Sequence, residues 1–152
     1  YSYYNQSTGV ANTAYFLLMC VSNKLFFKGI SNQSVVNVLS INVAVKHTSP
    51  TTVYLVRNAT LAGNVVFSDY SASSCTTWCT TPATSTITWT DNDQVIWSGN
   101  ISDSNGTIDH QFNIGDNEEL TIQPGDNFTV CARTTTGTAS YVTVSLNTRE
   151  DQ

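Results

Sequence analysis

A chain of 152 residues has the length of one domain, and only 11% of it is charged, well under the roughly 25% of an ordinary soluble protein. The net charge of −5 and the six Lys and Arg in the whole chain exclude a phosphate-neutralising surface, so nucleic acid is not an expected partner. The most apolar run, Ala14 to Val21, is far shorter than the roughly 20 residues that cross a bilayer as a helix, and no membrane span is expected.

The polar surface must be mostly hydroxyl and amide, because Ser, Thr and Asn are abundant. That composition fits secreted and cell-surface β-proteins, whose solvent-facing strand positions are often Thr and Ser. The chain opens on Tyr1 rather than Met, which suggests a processed precursor or a partial sequence and an extracellular setting.

Residues 1–12 lack sustained alternation and read as an extended N-terminal arm. Tyr3 and Tyr4 are large for a solvated tail, so a covering surface is expected, supplied by this chain or by another copy. Residues 13–152 read as a single β-domain. Tyr15, Leu17 and Met19 alternate with Phe16, Leu18 and Cys20, apolar on both faces, as in a central strand or one docked into a neighbour's groove. Leu25 to Ile30 is a short aromatic segment. Val36 to Val45 is a long strand with Ile41, Val43 and Val45 on one face and Asn42, Ala44 and Lys46 on the other. A turn at His47 to Pro50 leads to a strand at Thr52 to Arg57, with Asn58-Ala59-Thr60 closing a hairpin. Ser68 to Ala83 has no periodicity and reads as a long loop.

Thr84 to Thr90 sets threonines against Ile87 and Trp89. Val95 to Trp97 and Ile108 to Ile114 follow as strands. Leu120 and Ile122, the breaker Pro124-Gly125-Asp126, then Phe128, Val130 and Ala132 read as strand, turn and strand, and Val142, Val144 and Leu146 make a third. Helical periodicity is absent. Short strands at even spacing predict an all-β, jelly-roll-like antiparallel β-sandwich.

The four cysteines allow several pairings. Cys75 with Cys79 as a local clip, and Cys20 with Cys131 across the fold, is the preferred set. A clip would hold Trp78 on the surface, which makes it the best single candidate for a ligand contact. By parity Cys131 lies with Thr129 and Arg133, opposite Phe128 and Val130, so it needs cover on its own face. A bond from Cys20 to another copy remains an alternative.

N-x-S/T glycan acceptors occur at Asn5, Asn32, Asn58, Asn100, Asn105 and Asn127. Asp103 to Asp109 resembles half a calcium loop but lacks the closing Glu, and Asp91, Asn92 and Asp93 offer a similar turn. His47 and His110 sit in no nucleophile-elbow or metalloprotease context. The acidic residues Asp91, Asp93, Asp116, Glu118 and Glu119 fall in turns with no spacing that selects a catalytic pair. No enzymatic activity, cofactor or metal is expected.

LTIQPGDNFTVCART (120–134) with the terminal YVTVSLNTREDQ, and in style VYLVRNATLAGN (53–64), resembles the jelly-roll domains of tailed-phage fibre and capsid-decoration proteins. Thr148 stands where that family usually has Trp. By architecture the chain is also similar to secreted pilins that polymerise by donor-strand exchange. Both resemblances imply a structural subunit that assembles with copies of itself into a filament or a virion surface. The pilin likeness implies subunit contacts from Tyr3, Tyr4, Tyr15, Phe16, Leu17, Leu18 and Met19. A carbohydrate-binding or adhesin module is the alternative.

Overall fold

The computed structural model describes residues 1–10, 15–46, 50–63, 65–80, 86–102, 105–112, 120–134 and 140–151. Numbered in chain order, β1 (Ser2–Val10), β15 (Ser140–Asp151), β5 (Val35–Lys46) and β12 (Asn105–Gln111) lie side by side in one sheet, with β13 (Thr121–Ile122) also paired to β5. The second sheet runs β11 (Val95–Ile101), β6 (Thr51–Arg57), β14 (Asn127–Thr134), β2 (Phe16–Asn23), β9 (Thr76–Thr80) and β8 (Ser68–Asp69). Two small ladders, β3 (Phe26–Phe27) with β4 (Ile30–Ser31) and β7 (Thr60–Ala62) with β10 (Thr86–Thr88), complete an all-β antiparallel sandwich.

Consecutive long strands change sheets. Among the described strands of at least seven residues, only β6 and β11 follow one another within one sheet. The expected strand, turn and strand at 120–134 are present, but the two strands do not pair with each other: β13 pairs with β5, whereas β14 sits between β2 and β6 in the opposite sheet. Gly125, at φ +91, makes the turn between them, a backbone state that glycine adopts without steric cost. Likewise β5 and β6 belong to different sheets and form no hairpin.

The two sheets share one core. Val36, Val38, Ile41, Val43 and Val45 of β5, with Val142, Val144 and Leu146 of β15, meet Leu18, Met19 and Val21 of β2 and Phe128, Val130 and Ala132 of β14. Each such side chain stabilises the fold by about 1.5–3 kcal/mol through its removal from water. The buried positions of β5 change parity between Val38 and Ile41. A bulge places Leu39 between the pairs Thr148–Val38 and Asn147–Ser40, which resets the phase.

A second apolar cluster lies on the other face of the second sheet. Leu17, Cys20, Val56, Cys79 and Cys131 are covered there by Ala59, Leu61 and Ile87 from the region of the β7–β10 ladder. This explains why β2 is apolar on both faces: it is a central strand between two cores. Ser68–Ala83, expected as a loop, instead supplies β8 and β9, the margin of the second sheet.

Candidate functional site

The N-terminal strand and the slot that receives it bring together residues expected to act separately. β1 lies along the margin of its sheet, antiparallel to β15, with Ser2 opposite Asn147, Tyr3 opposite Leu146, Tyr4 opposite Ser145 and Asn5 opposite Val144. Its register shifts between Ser7 and Val10. The terminal ammonium donates to the Thr148 carbonyl at 2.8 Å.

Tyr3 is fully buried. Its ring lies 4.6 Å from Tyr70 and 5.5 Å from Trp78, centroid to centroid, separations at which tilted aromatic pairs attract. Tyr70 also packs edge-on against Tyr1 at 4.9 Å and donates its hydroxyl to the Ser2 carbonyl at 3.1 Å. At the foot of the slot the Tyr3 hydroxyl meets Thr76 Oγ1, which lies 2.7 Å from Ser74 Oγ. Ser74 donates to Glu150 Oε1, and the Cys75 N–H donates to Glu150 Oε2 at 3.3 Å. Burial pushes the Tyr3 phenol up to about 12. Burial, together with the Glu150 carboxylate, pushes the Cys75 thiol up to about 11. The protonated Tyr3 phenol and its hydrogen-bonded neighbours anchor the strand in this slot.

Trp78 is thus not a free ligand contact on a stapled loop. It is half-buried in β9 and forms a wall of the Tyr3 slot. The proposed contact set also divides. Tyr4 is 55% exposed. Tyr15 packs beside Tyr54 and Trp89, with the Arg133 guanidinium 5.1 Å above its ring. Phe16 packs against the shared core, and Leu17, Leu18 and Met19 are buried within this chain, so their open alternative resolves to a central strand.

No disulfide joins the cysteines, all four of which are buried thiols. The expected Cys75–Cys79 clip is corrected by position: Cys75 belongs to the inter-sheet core and Cys79 to the outer cluster. Cys20 is opposite Thr129 on β14 and opposite Cys79 on β9, whereas Cys131 is opposite Leu17. Cys131 does occupy the face given by its parity, and burial pushes its thiol up to about 12.

The glycan acceptors differ sharply. Asn32 is buried; its amide donates to Asn23 Oδ1 and the Lys24 carbonyl, both at 2.7 Å, and its oxygen accepts from the Ser34 N–H. A glycan on that nitrogen is incompatible with this packing. Asn58, Asn100 and Asn105 are exposed, and Asn127 is intermediate.

Asp91 caps the 3-10 turn Asn92–Gln94, accepting from the Asp93 N–H at 3.0 Å. Asn105 to Asp109 lies in strand β12 rather than a calcium loop, while Asp103, His47, Asp116, Glu118 and Glu119 lie outside the described residues. His110 stacks against Trp97 at 5.8 Å. Among the described residues no group of three His, Cys, Asp or Glu is placed to hold a metal, and no helix is long and apolar enough to cross a membrane.

A separate feature lies at the far end of the first sheet. Tyr141, Lys46 and Asn105 form one cross-strand row, and Thr143, Ala44 and Thr107 the next. The small Ala44 lies low among taller neighbours in an open cavity of about 480 Å³, whose lining also includes Gly106. Lys24, Arg57 and Arg149 form ion pairs, and Lys28 and Arg133 lie over aromatic rings. Among the described residues Lys46 does neither, and it faces this cavity. No sequence signal distinguished Lys46, because the cavity is assembled from three strands distant in the chain. The chain matches no protein-family model and none of the curated proteins compared with it.

Proposed function

We propose that this protein is a non-enzymatic structural subunit that assembles with copies of itself into an extracellular surface structure, a virion surface or fibre or a pilus-like filament. The observation that carries this reading is the placement of β1: a strand at a sheet margin, paired among the described residues only to β15 and anchored by Tyr3 in a slot between Tyr70 and Trp78. Every contact that β1 makes within its own chain is available to the same strand from another copy, so exchange requires no new surface. Main-chain pairing supplies affinity and the Tyr3 slot supplies register.

Strand order supports a jelly roll. In chain order the long strands are β1, β2, β5, β6, β11, β12, β14 and β15, and they interleave as first, eighth, third and sixth against fifth, fourth, seventh and second. That interleaving is how paired Greek keys fold into two sheets, an architecture used by capsid and lectin domains. The link from fold to function here is one of analogy.

Size-exclusion chromatography with negative-stain microscopy tests the reading. Wild-type protein at high concentration should form multimers or filaments, and a chain lacking residues 1–10, which has no strand to donate, should not polymerise. Concentration-independent monomers in both would defeat the proposal.

A second reading, carbohydrate binding, has its own support in the Lys46 cavity. An aromatic ring, an ammonium, an amide and two threonine hydroxyls around about 480 Å³ suit a carboxylate-bearing sugar, and that volume lies within the usual range of ligand sites. Titration with a glucuronate-containing oligosaccharide, followed by NMR, should perturb Tyr141 and Lys46, and Lys46→Ala should abolish the response.

A further inference from the structure

Cys20 and Cys79 stand directly opposite one another on the neighbouring antiparallel strands β2 and β9. Opposed residues in such a ladder have Cα atoms about 4.5–5.5 Å apart, inside the roughly 4.4–6.8 Å span of natural disulfides. Both side chains point into the outer cluster, where both are buried. We propose that Cys20 and Cys79 form a cross-strand disulfide when the chain folds in the presence of a disulfide oxidant, leaving Cys75 and Cys131 as thiols.

The rival pairings fail on position. Cys75 and Cys79 are four residues apart along a chain that is extended from Thr76 to Thr80. At about 3.3 Å per residue that is roughly 13 Å, beyond the reach of a disulfide. Cys131 faces Leu17, and the β14 residue opposite Cys20 is Thr129, whose hydroxyl donates to the Cys20 sulfur at 3.4 Å. Cys75 lies across the second sheet from the other three, in the inter-sheet core.

The thiol pair is also chemically unequal. Its hydrogen bond to Cys79, with burial, pushes the Cys20 thiol well above the usual range, and the same hydrogen bond holds Cys79 lower. That inequality belongs to the folded pair, in which Cys79 is the thiol that ionises more readily. In oxidation the thiolate of either cysteine attacks one sulfur of a small disulfide such as oxidised glutathione, forming a mixed disulfide and releasing one thiolate. The other cysteine then loses its proton and attacks the protein sulfur of that mixed disulfide, which expels the second thiolate; two protein thiols are oxidised and one glutathione disulfide is reduced to two thiols. The reaction belongs to the folding chain, before β7 and β10 cover the sheet. Afterwards burial shields the bond from reductant.

The clasp fixes β9 to the middle of its sheet, and β9 carries Thr76 and Trp78 of the Tyr3 slot. That consequence for strand exchange rests on the proposed function, whereas the disulfide does not.

The full chain refolded with oxidised glutathione, alkylated in denaturant and mapped by mass spectrometry tests the pairing. The expected result is a peptide pair joined through Cys20 and Cys79, with Cys75 and Cys131 alkylated. In Cys79→Ser the linked pair should vanish with no new linkage. Wild type refolded under reducing conditions should melt on the order of 10 °C below the oxidised form. A Cys20–Cys131 or Cys75–Cys79 linkage, or alkylation of all four cysteines after oxidative refolding, would overturn the proposal.

Discussion

Truncating Tyr3 isolates what the N-terminal strand contributes. In Tyr3→Ala the ring is lost from between Tyr70 and Trp78, and the Thr76 hydroxyl loses one partner while keeping Ser74. Removing a large buried aromatic side chain costs about 3–5 kcal/mol, a large share of the about 5–15 kcal/mol that holds a domain together. At about 2–4 °C per kcal/mol for a chain of this size, the melting temperature should fall by about 6–20 °C. Tyr3→Phe keeps the ring and removes only the hydroxyl, so it should cost about 0.5–1.5 kcal/mol. Urea titrations of the three proteins measure these differences directly. Hydrogen exchange should further show faster exchange in Tyr3→Ala for the amides of β1 and β15. A Tyr3→Ala stability within 0.5 kcal/mol of wild type, in the range ordinary for surface changes, would show that the slot does not hold the strand.

Alkaline pH should destabilise the protein. Burial pushes the Cys75, Cys131 and Tyr3 groups up to about 11, 12 and 12 in the folded chain, from ordinary values of 9, 9 and 10. Stability is fully present below pH 9 and should fall as pH rises towards 12, by about 1.4 kcal/mol per unit for each group ionised only in the unfolded chain; a flat urea midpoint from pH 8 to 11 would contradict this. Tyr3→Phe should flatten part of the loss above pH 10. Asn32→Ala should cost about 1–3 kcal/mol by stranding Asn23 Oδ1 and the Ser34 N–H, and glycopeptide mapping of protein made in a glycosylating cell should find Asn32 bare while Asn58, Asn100 or Asn105 carries glycan. Gly99→Ala should cost about 1–3 kcal/mol in thermal melts, because a Cβ there would meet Ile108 Cδ1 at 2.6 Å and the Trp97 ring at 2.8 Å.

Alternation along the chain made individual strands readable, but not their partners. Ile41, Val43 and Val45 face the core as their spacing requires, and Cys131 falls on the face opposite Phe128 and Val130. Period two states which face a residue takes; it does not say to which sheet the next strand goes. For that reason the strand, turn and strand at 120–134 were readable, but not that Pro124-Gly125 carries the chain between sheets. β9 escaped notice because Thr76-Thr77-Trp78-Cys79-Thr80 has no hydrophobic alternation, and its place is fixed by pairing with β2.

The candidate site was legible only in fragments. Tyr3 called for cover and Trp78 stood out as an aromatic, yet nothing local in the sequence says that one covers the other, since Tyr3 and Thr76 are 73 positions apart. The Ser74–Glu150 link joins residues still more distant, 76 apart, and carries no motif. The Asn32 acceptor shows the converse: a valid local motif whose amide is already committed to buried hydrogen bonds, because three-residue patterns do not encode burial.

Exchange of β1 between copies is tested most directly by cross-linking two variants in one mixture. Tyr4 and Ser145 are directly opposed across the β1–β15 ladder, so Tyr4→Cys in one population and Ser145→Cys in another should form the 4–145 bond in preference to 4–4 and 145–145 bonds only if β1 of one copy lies on β15 of the other. Mixed at high concentration and oxidised, the two should give a covalent dimer in which mass mapping finds positions 4 and 145 joined. If the mixture yields no such dimer, while a chain carrying both substitutions closes the bond within itself, then β1 stays with its own chain and the assembly account is wrong.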